Sequence, residues 1–348
     1  MLNLTDWIKD KETHGIIQHS DAWHKHRITT VGGSTLSIIQ GVNPYKSLNE
    51  LVRQKTGFSE NINDGSIMTR WGNLFEDVIK RIVEHDKSCS ILGEDLYVKG
   101  DDPYISYSPD GLAVINGEVT LLEFKCPYSR IPMRNIPKYY IPQIKMGLDV
   151  LKIPTVGLFV EGVFRRCSWE VLGHNSEHDL LLVDKQLTDL PKYYGIIGMY
   201  TTEEKLQASI MRLLIQKYET EYMIEEEMND LGVSTADLFM DIMKAYDSGH
   251  IKIFYGGLTS GDNMSIIYDD LTKFTEYCDE NKYIKLGILP WKLFQLQYNN
   301  VSKEENYLEP WMPKIRELVD VIKACNDPEN IDKKYNIYSS YFEKINNV

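Results

Sequence analysis

The sequence predicts an α/β core that ends near residue 171, followed by a mainly helical region. Three observations predict it. An amphipathic helix comes first: Trp71, Leu74, Phe75, Val78, Ile79, Ile82 and Val83 recur at i, i+3, i+4, i+7, i+8, i+11 and i+12. Alternating strand-like runs follow it over 91–126. A further helical segment then precedes another strand run at 156–171.

Taken in order, Ser47-Leu-Asn-Glu50 is a capping box and Gly57 suits a helix stop, so a helix is expected over about 48–56. The amphipathic stripe gives a helix over roughly 68–86. Residues 91–100 and 104–111 alternate as strands. Residues 112–126 form two strand runs around Asn116-Gly117, a type I′ hairpin signal. A helix is expected over 138–151, and 156–171 reads as a hairpin turning at Glu161-Gly162. Beyond it, amphipathic helices are expected around Leu206–Leu214, Leu238–Met243 and 305–325, while 287–300 looks extended. The expected organisation is a core of residues 1–171 with an acidic, mainly helical region, 172–348, packed on it.

Composition bounds the function. Of 348 residues, 43% are hydrophobic and 26% charged, which excludes global disorder. No run of 18 apolar residues occurs and the first 20 residues are polar, so an intracellular, unsecreted protein is expected. The five cysteines stand singly, which argues against a zinc knuckle or disulfide framework. A net charge of −13 argues at first against nucleic acid. Residues 1–170, however, carry 20 Lys and Arg against 21 Asp and Glu, so the acidity belongs to the second half. The first half is free to hold a local basic cleft.

The chemistry centres on Ser108-Pro109-Asp110-Gly111 and Glu123-Phe124-Lys125. Glu123 and Lys125 are two apart on a strand and share a face. The intervening hairpin folds Asp110 back beside them. Two carboxylates at that distance suit Mg²⁺, which takes a few hard oxygens and keeps several waters. The backbone carbonyl of Phe124 is a candidate third ligand, and an adjacent lysine can orient a water. Asp-Gly is also a common turn, and Glu-x-Lys on a strand is commonly a solvated face. The apolar flanks Leu121, Leu122, Phe124 and Cys126 weigh against that reading here.

Further segments surround this centre: Ala22-Trp23-His24-Lys25-His26-Arg27, Gly32-Gly33-Ser34, Gly41-Val42-Asn43-Pro44-Tyr45, Trp71-Gly72-Asn73-Leu74-Phe75-Glu76 and Tyr139-Tyr140-Ile141-Pro142-Gln143. Together the set resembles the phage lambda exonuclease/YqaJ-type viral recombinase branch of the PD-(D/E)xK nucleases, over about residues 20–170. The resemblance implies a restriction-endonuclease-like core, a mixed central sheet flanked by helices. It implies Asp110 and Glu123 as metal ligands with the Phe124 carbonyl, Lys125 acting on the attacking water, and Glu76 helping at the metal directly or through water. It implies that Arg27, Ser34, Ser108 and Gln143 grip a terminal 5′-phosphate.

Each residue has a plainer reading. Glu76 could pair with Lys80 at i+4, Ser34 could cap the helix that follows it, and Gln143 could face solvent. Pro142 should delay or kink the helix that carries Gln143. The stretch Lys285-Leu-Gly-Ile-Leu-Pro-Trp-Lys-Leu-Phe is similar to C-terminal extensions in relatives from large DNA viruses. His14, His19, His24 and His26 fit no zinc spacing, and no P-loop sequence occurs, so ATP use is not expected.

The resulting expectation is a Mg²⁺-dependent deoxyribonuclease, with Mn²⁺ as a substitute, acting 5′→3′ on the ends of linear double-stranded DNA in recombination, repair or viral DNA processing. An endonuclease on the same core and a non-catalytic recombination scaffold are the alternatives. A single-strand annealing protein and a homo-oligomer are left open as partners.

Overall fold

A computed structural model describes residues 3–14, 16–18, 20–59, 66–132, 134–167, 172, 192–203, 249–261 and 263–346. Five helices come first: α1 (Leu4–His14), α2 (Asp21–Ile28), α3 (Gly33–Ile39), α4 (Leu48–Lys55) and α5 (Ile67–Lys87). Next are β1 (Val98–Lys99), β2 (Ser106–Tyr107), β3 (Gly111–Ile115), β4 (Glu118–Lys125), α6 (Ile141–Leu151) and β5 (Val156–Arg166). The second half adds β6 (Tyr193–Thr201), β7 (Lys252–Tyr255), α7 (Met264–Asn281), β8 (Ile284–Ser302), α8 (Met312–Asn326) and α9 (Lys334–Asn346).

The local signals explain these elements. Ser47 and Glu50 close a reciprocal capping box on α4. Asn116 and Gly117 both take positive φ, 52° and 83°, as a type I′ turn between β3 and β4 requires. Pro142 is the second residue of α6, where its missing N–H leaves no gap, so it delays the helix without breaking it.

One six-stranded mixed sheet runs β3-β4-β5-β8-β6-β7, with β4 and β5 parallel and the other pairs antiparallel. The buried stripe of α5, with Trp71, Phe75 and Ile79, covers one face against Leu122, Phe124 and Val160. The other face, with Leu121 and Phe159, is covered by α3, α6 and α8 through Leu36, Ile144 and Leu318. The expected mixed sheet flanked by helices is therefore present, with a helical C-terminal part.

Several expectations change. Residues 156–166 form no hairpin at Glu161-Gly162; β5 runs straight through. A Cβ on Gly162 would lie 3.0 Å from Ile79 Cδ1 and 2.9 Å from Phe164 Cε2, so the glycine lets α5 pack closely and makes no turn. The strands expected over 91–100 and 104–111 shrink to the two-residue pair β1 and β2. Ser34 does not cap α3, because the cap position is Gly32. Residue 171 is not a boundary of the sheet: β6, β7 and β8 all come from beyond it. The extended run at 287–300 is the centre of β8, a 19-residue strand that pairs with β5 over Trp291–Ser302 and with β6 over Ile284–Leu293. Pro290 is tolerated in it because β5 ends at Arg166, opposite Trp291, so no strand needs its N–H on that edge. The helices expected around 206–214 and 238–243 lie outside the described residues.

Candidate active site

The site forms where the edge of β4 is left open. β3 begins at Gly111 opposite Leu122, so Glu123, Phe124 and Lys125 have no strand on that side. The Asp110 side chain takes the place of one: its Oδ2 accepts the Phe124 N–H at 2.8 Å. Within a strand the N–H and C=O of one residue share an edge. The Phe124 carbonyl is thus on the Asp110 side of β4.

Glu123 is fully buried behind this edge, on the face covered by α6. Lys125 Nζ donates to Glu123 Oε1 at 2.5 Å and lies 4.0 Å from Asp110 Oδ2. Tyr107 donates its hydroxyl to Glu123 Oε2 at 3.4 Å. The Tyr107 ring reaches this position because glycines make room. A Cβ on Gly33 would come within 2.7 Å of its ring, and one on Gly147 within 2.4 Å. The short strand β2 holds Tyr107 in place, and a parallel bridge from Val31 to Ile105 sets α3 beside it.

The carboxylates feel one another. Burial and then the Glu123 charge push Asp110 up to about 6. Burial also raises Glu123 against the pull of Lys125. Burial would lower the Lys125 ammonium, but Glu123 and Asp110 together hold it above its usual range. Glu76 is raised by burial and by Asp110, and it pairs with Lys80 at 3.0 Å. Lys80 reaches on to Glu94 at 3.3 Å. The i+4 pairing expected as the plain reading of Glu76 is real, yet the same side chain also faces the cleft.

That cleft, a cavity of about 390 Å³, is lined by Asp110, Glu76, Arg27, Ser34, Ser108 and Gln143 among others. All four residues expected at a terminal phosphate are therefore gathered beside the two carboxylates. Arg27, in the last turn of α2, stacks its guanidinium over the Trp23 ring, 4.3 Å from the centroid. Trp23 Nε1 donates to Ser108 Oγ at 3.3 Å, tying that serine to the same platform. Lys55 closes the end of α2 from behind, donating to the carbonyls of Arg27, Ile28 and Thr30. Ser34 is the second residue of α3, and Gln143 lies in the first turn of α6, its Cγ close against Gly33.

Among the described residues, no three His, Cys, Asp or Glu side chains converge to wrap an ion by themselves. The donor set fits a cation that keeps much of its water: Asp110, Glu123 and an open backbone carbonyl, with Glu76 at the rim. Two close carboxylates, Glu123 buried and Asp110 partly exposed, face one ammonium and leave negative charge that a divalent ion would offset.

Residues 22–152 match the family described as the YqaJ-like viral recombinase domain. This stretch is similar to the YqaJ-like viral recombinase domain. The YqaJ-like domain spans every residue placed at the site above, from Trp23 to Gln143. A protein of African swine fever virus, from a tick isolate of Pretoriuskop in South Africa, is 29% identical over 343 residues, covering 89% of this chain and 88% of its own. Its counterpart in the Vero-adapted Badajoz strain is 28% identical with the same coverage. Among solved structures, an alkaline exonuclease from Laribacter hongkongensis aligns with a TM-score of 0.32 at 20% identity, over 41% of this chain and 73% of that one. The same enzyme in complex with dAMP gives a TM-score of 0.33 at 18% identity, with the same coverage. The sequence similarity to the viral proteins runs well beyond the YqaJ-like domain, into the half that supplies β6, β7 and β8.

Sequence reasoning missed Tyr107 and Lys55. The pair Gly33 and Gly147 was the available trace of Tyr107, since each is small to admit the same ring. Lys55 left no trace, because a lysine that caps another helix through backbone carbonyls reads as an ordinary surface residue. No helix among the described residues is long and apolar enough to cross a membrane.

Proposed function

We propose that this protein is a divalent-metal-dependent deoxyribonuclease, and that it acts as a 5′→3′ exonuclease on the ends of linear duplex DNA. The observation that carries this reading is the single cleft that joins Arg27, Ser34, Ser108 and Gln143 to Asp110 and Glu76, with Lys125 and Glu123 directly behind. The YqaJ-like domain supports nuclease chemistry on DNA.

In this reading Asp110, Glu123 and the Phe124 carbonyl hold Mg²⁺ or Mn²⁺, with Glu76 contributing through water. When bound, the ion supplies a Lewis acid that offsets phosphate charge and makes water a better nucleophile. Arg27 gives a planar set of donors to the terminal phosphate, and Ser34, Ser108 and Gln143 complete the grip. Fixing that end sets the next phosphodiester against the carboxylates. Lys125 is held as the ammonium, so it orients the attacking water and stabilises developing charge; it does not serve as a base. Cleavage leaves a 5′-phosphate on the remaining strand, which can re-enter the same grip.

The test is a digest of linear duplex with 5′-phosphate or 5′-hydroxyl ends, beside a closed circle, with Mg²⁺ and with EDTA. The reading expects faster loss of the phosphorylated duplex, survival of the circle and no cleavage in EDTA. Rapid linearisation of the circle, lost in Asp110→Ala, would replace it with an endonuclease. Absence of any metal-dependent cleavage would leave the recombination scaffold.

A further inference from the structure

The catalytic patch opens on two sides. Glu76 lines the Arg27 cleft and also a second cavity of about 680 Å³. Asp110 faces the first and Lys125 the second. The second cavity is walled by Tyr45, Tyr128, Tyr139 and Tyr140, with Arg130 beside Lys125.

These rings are fixed from behind. Tyr128 packs edge-on against Trp71 at 5.3 Å, and Tyr140 lies 5.4 Å from Phe159 of the core. Tyr139 contacts Tyr140 at 4.4 Å and Tyr45 at 5.4 Å. Tyr45 is 70% exposed, so the outermost ring offers much of its face to solvent. The cations are fixed too. Lys125 Nζ lies 5.3 Å from the Tyr140 ring centroid, and Arg130 is paired with Glu161, which is 1% exposed. Anchored aromatic faces next to immobilised cations are the chemistry that holds an unpaired nucleotide, the base by stacking and the backbone by charge.

The polarity follows from the other mouth. With the terminal 5′-phosphate at Arg27, the strand crosses Asp110 and leaves past Lys125 into the tyrosine cavity. We infer that this cavity binds the nucleobase on the 3′ side of the scissile phosphate, unpaired and stacked against Tyr139 and Tyr45. This rests on the exonuclease reading above.

A double-mutant cycle between enzyme and substrate tests it. Single-turnover cleavage is measured on 5′-phosphorylated duplex, either intact or carrying an abasic site at the second nucleotide or, as a control, far from the end. The enzymes are the wild type, Tyr139→Ala, Tyr139→Phe and Tyr45→Ala, each with its melting temperature. Stacking on an aromatic side chain is worth about 1–3 kcal/mol per base, or roughly 5- to 150-fold. The abasic site at the second nucleotide should slow the wild type by a factor in that range, and the distant one should not. Tyr139→Ala should slow the intact substrate similarly and then show little further loss on the abasic one. Tyr139→Phe, which keeps the ring, should retain the coupling to the abasic site that Tyr139→Ala loses, and Tyr45→Ala at the exposed position should reproduce the loss of coupling without a fall in melting temperature. Multiplicative losses, or a wild type indifferent to the abasic site, would overturn the stacking site while 5′-phosphate-dependent cleavage of intact duplex stands. Failure of the exonuclease reading is seen separately, as absent or phosphate-independent cleavage of intact duplex by the wild type, and it would remove this inference as well.

Discussion

Two buried carboxylates sit side by side on neighbouring strands and behave differently. Glu123 on β4 and Glu161 on β5 point to the same face, and Glu161 pairs in register with Lys125. Glu161 has a cation to itself, since Arg130 forms an ion pair with it. Glu123 must share Lys125 with Asp110, so two carboxylates meet one ammonium. The first arrangement is balanced and needs nothing further. The second holds excess negative charge at an open strand edge, and that imbalance, more than burial, supports the metal site proposed there. An isolated buried charge is costly, which makes such an excess hard to retain without a function.

The sharpest way to break the comparison is to remove one carboxylate from each arrangement. Asp110→Ala or Glu123→Ala should abolish metal-dependent cleavage, a loss of at least about 10⁴-fold, because nothing nearby replaces the lost ligand. Glu161→Gln should retain Mg²⁺-dependent cleavage, since its carboxylate is already matched by Arg130. Nuclease assays over a Mg²⁺ titration check both, and a dead Glu161→Gln with a native melting temperature would show that balance does not separate structural from catalytic carboxylates here. Next in size, Lys125→Ala should lower the rate by about 10²–10³-fold while DNA affinity stays nearly constant, because its ammonium acts on charge that develops during the reaction. Binding that falls in step with the rate would make Lys125 a phosphate clamp.

The same contrast bears on how far the sequence could be read. Asp110, Glu123 and Lys125 were legible because an Asn-Gly turn and a two-residue spacing fix their relation locally. Glu76, Arg27, Ser34, Ser108 and Gln143 come from five separate segments. Only the resemblance joined them, and the cleft brings them together. Glu161 was misread, since Glu-Gly looks like a turn until α5 is seen to press on the glycine. β6 escaped because a strand at the middle of a sheet that is buried on both faces lacks the alternation that marks a strand, and β8 was legible only as an extended run without a partner. β8 meets β5 more than 100 positions away, as where Trp291 pairs with Arg166.

A smaller effect is expected at the phosphate grip. Arg27→Ala should reduce the preference for 5′-phosphorylated ends by roughly 10- to 100-fold, as loss of a charge-assisted contact of about 1.5–3 kcal/mol implies. Cleavage of 5′-hydroxyl duplex should change much less. Paired rate measurements on the two ends decide it; equal losses on both would make Arg27 an ordinary backbone contact.

The smallest effect is on stability, and it has a definite sign. Asp110 titrates at about 6 in the folded, metal-free protein, against an ordinary value of 3.8. Its folded pKa is raised, so the stability it contributes is fully present below about 3.8 and is lost as pH rises through 6. At neutral pH the metal-free protein carries that cost, because the ionised Asp110 sits beside Glu123. The full shift corresponds to about 3 kcal/mol, and partial exposure with the nearby Lys125 reduces the expected effect to about 1–2 kcal/mol. Asp110→Asn keeps an oxygen for the Phe124 N–H and removes the charge. It should therefore stabilise the metal-free protein at pH 7.5 and flatten the fall in stability between pH 4 and 6.5. Mg²⁺ should stabilise the wild type and leave the variant nearly unmoved, since the ion relieves the same repulsion. Thermal melts with EDTA and with Mg²⁺ across that pH range read both effects. A variant less stable than the wild type at pH 7.5 would mean that Lys125 already neutralises the pair, and the excess charge that separates Glu123 from Glu161 would not exist.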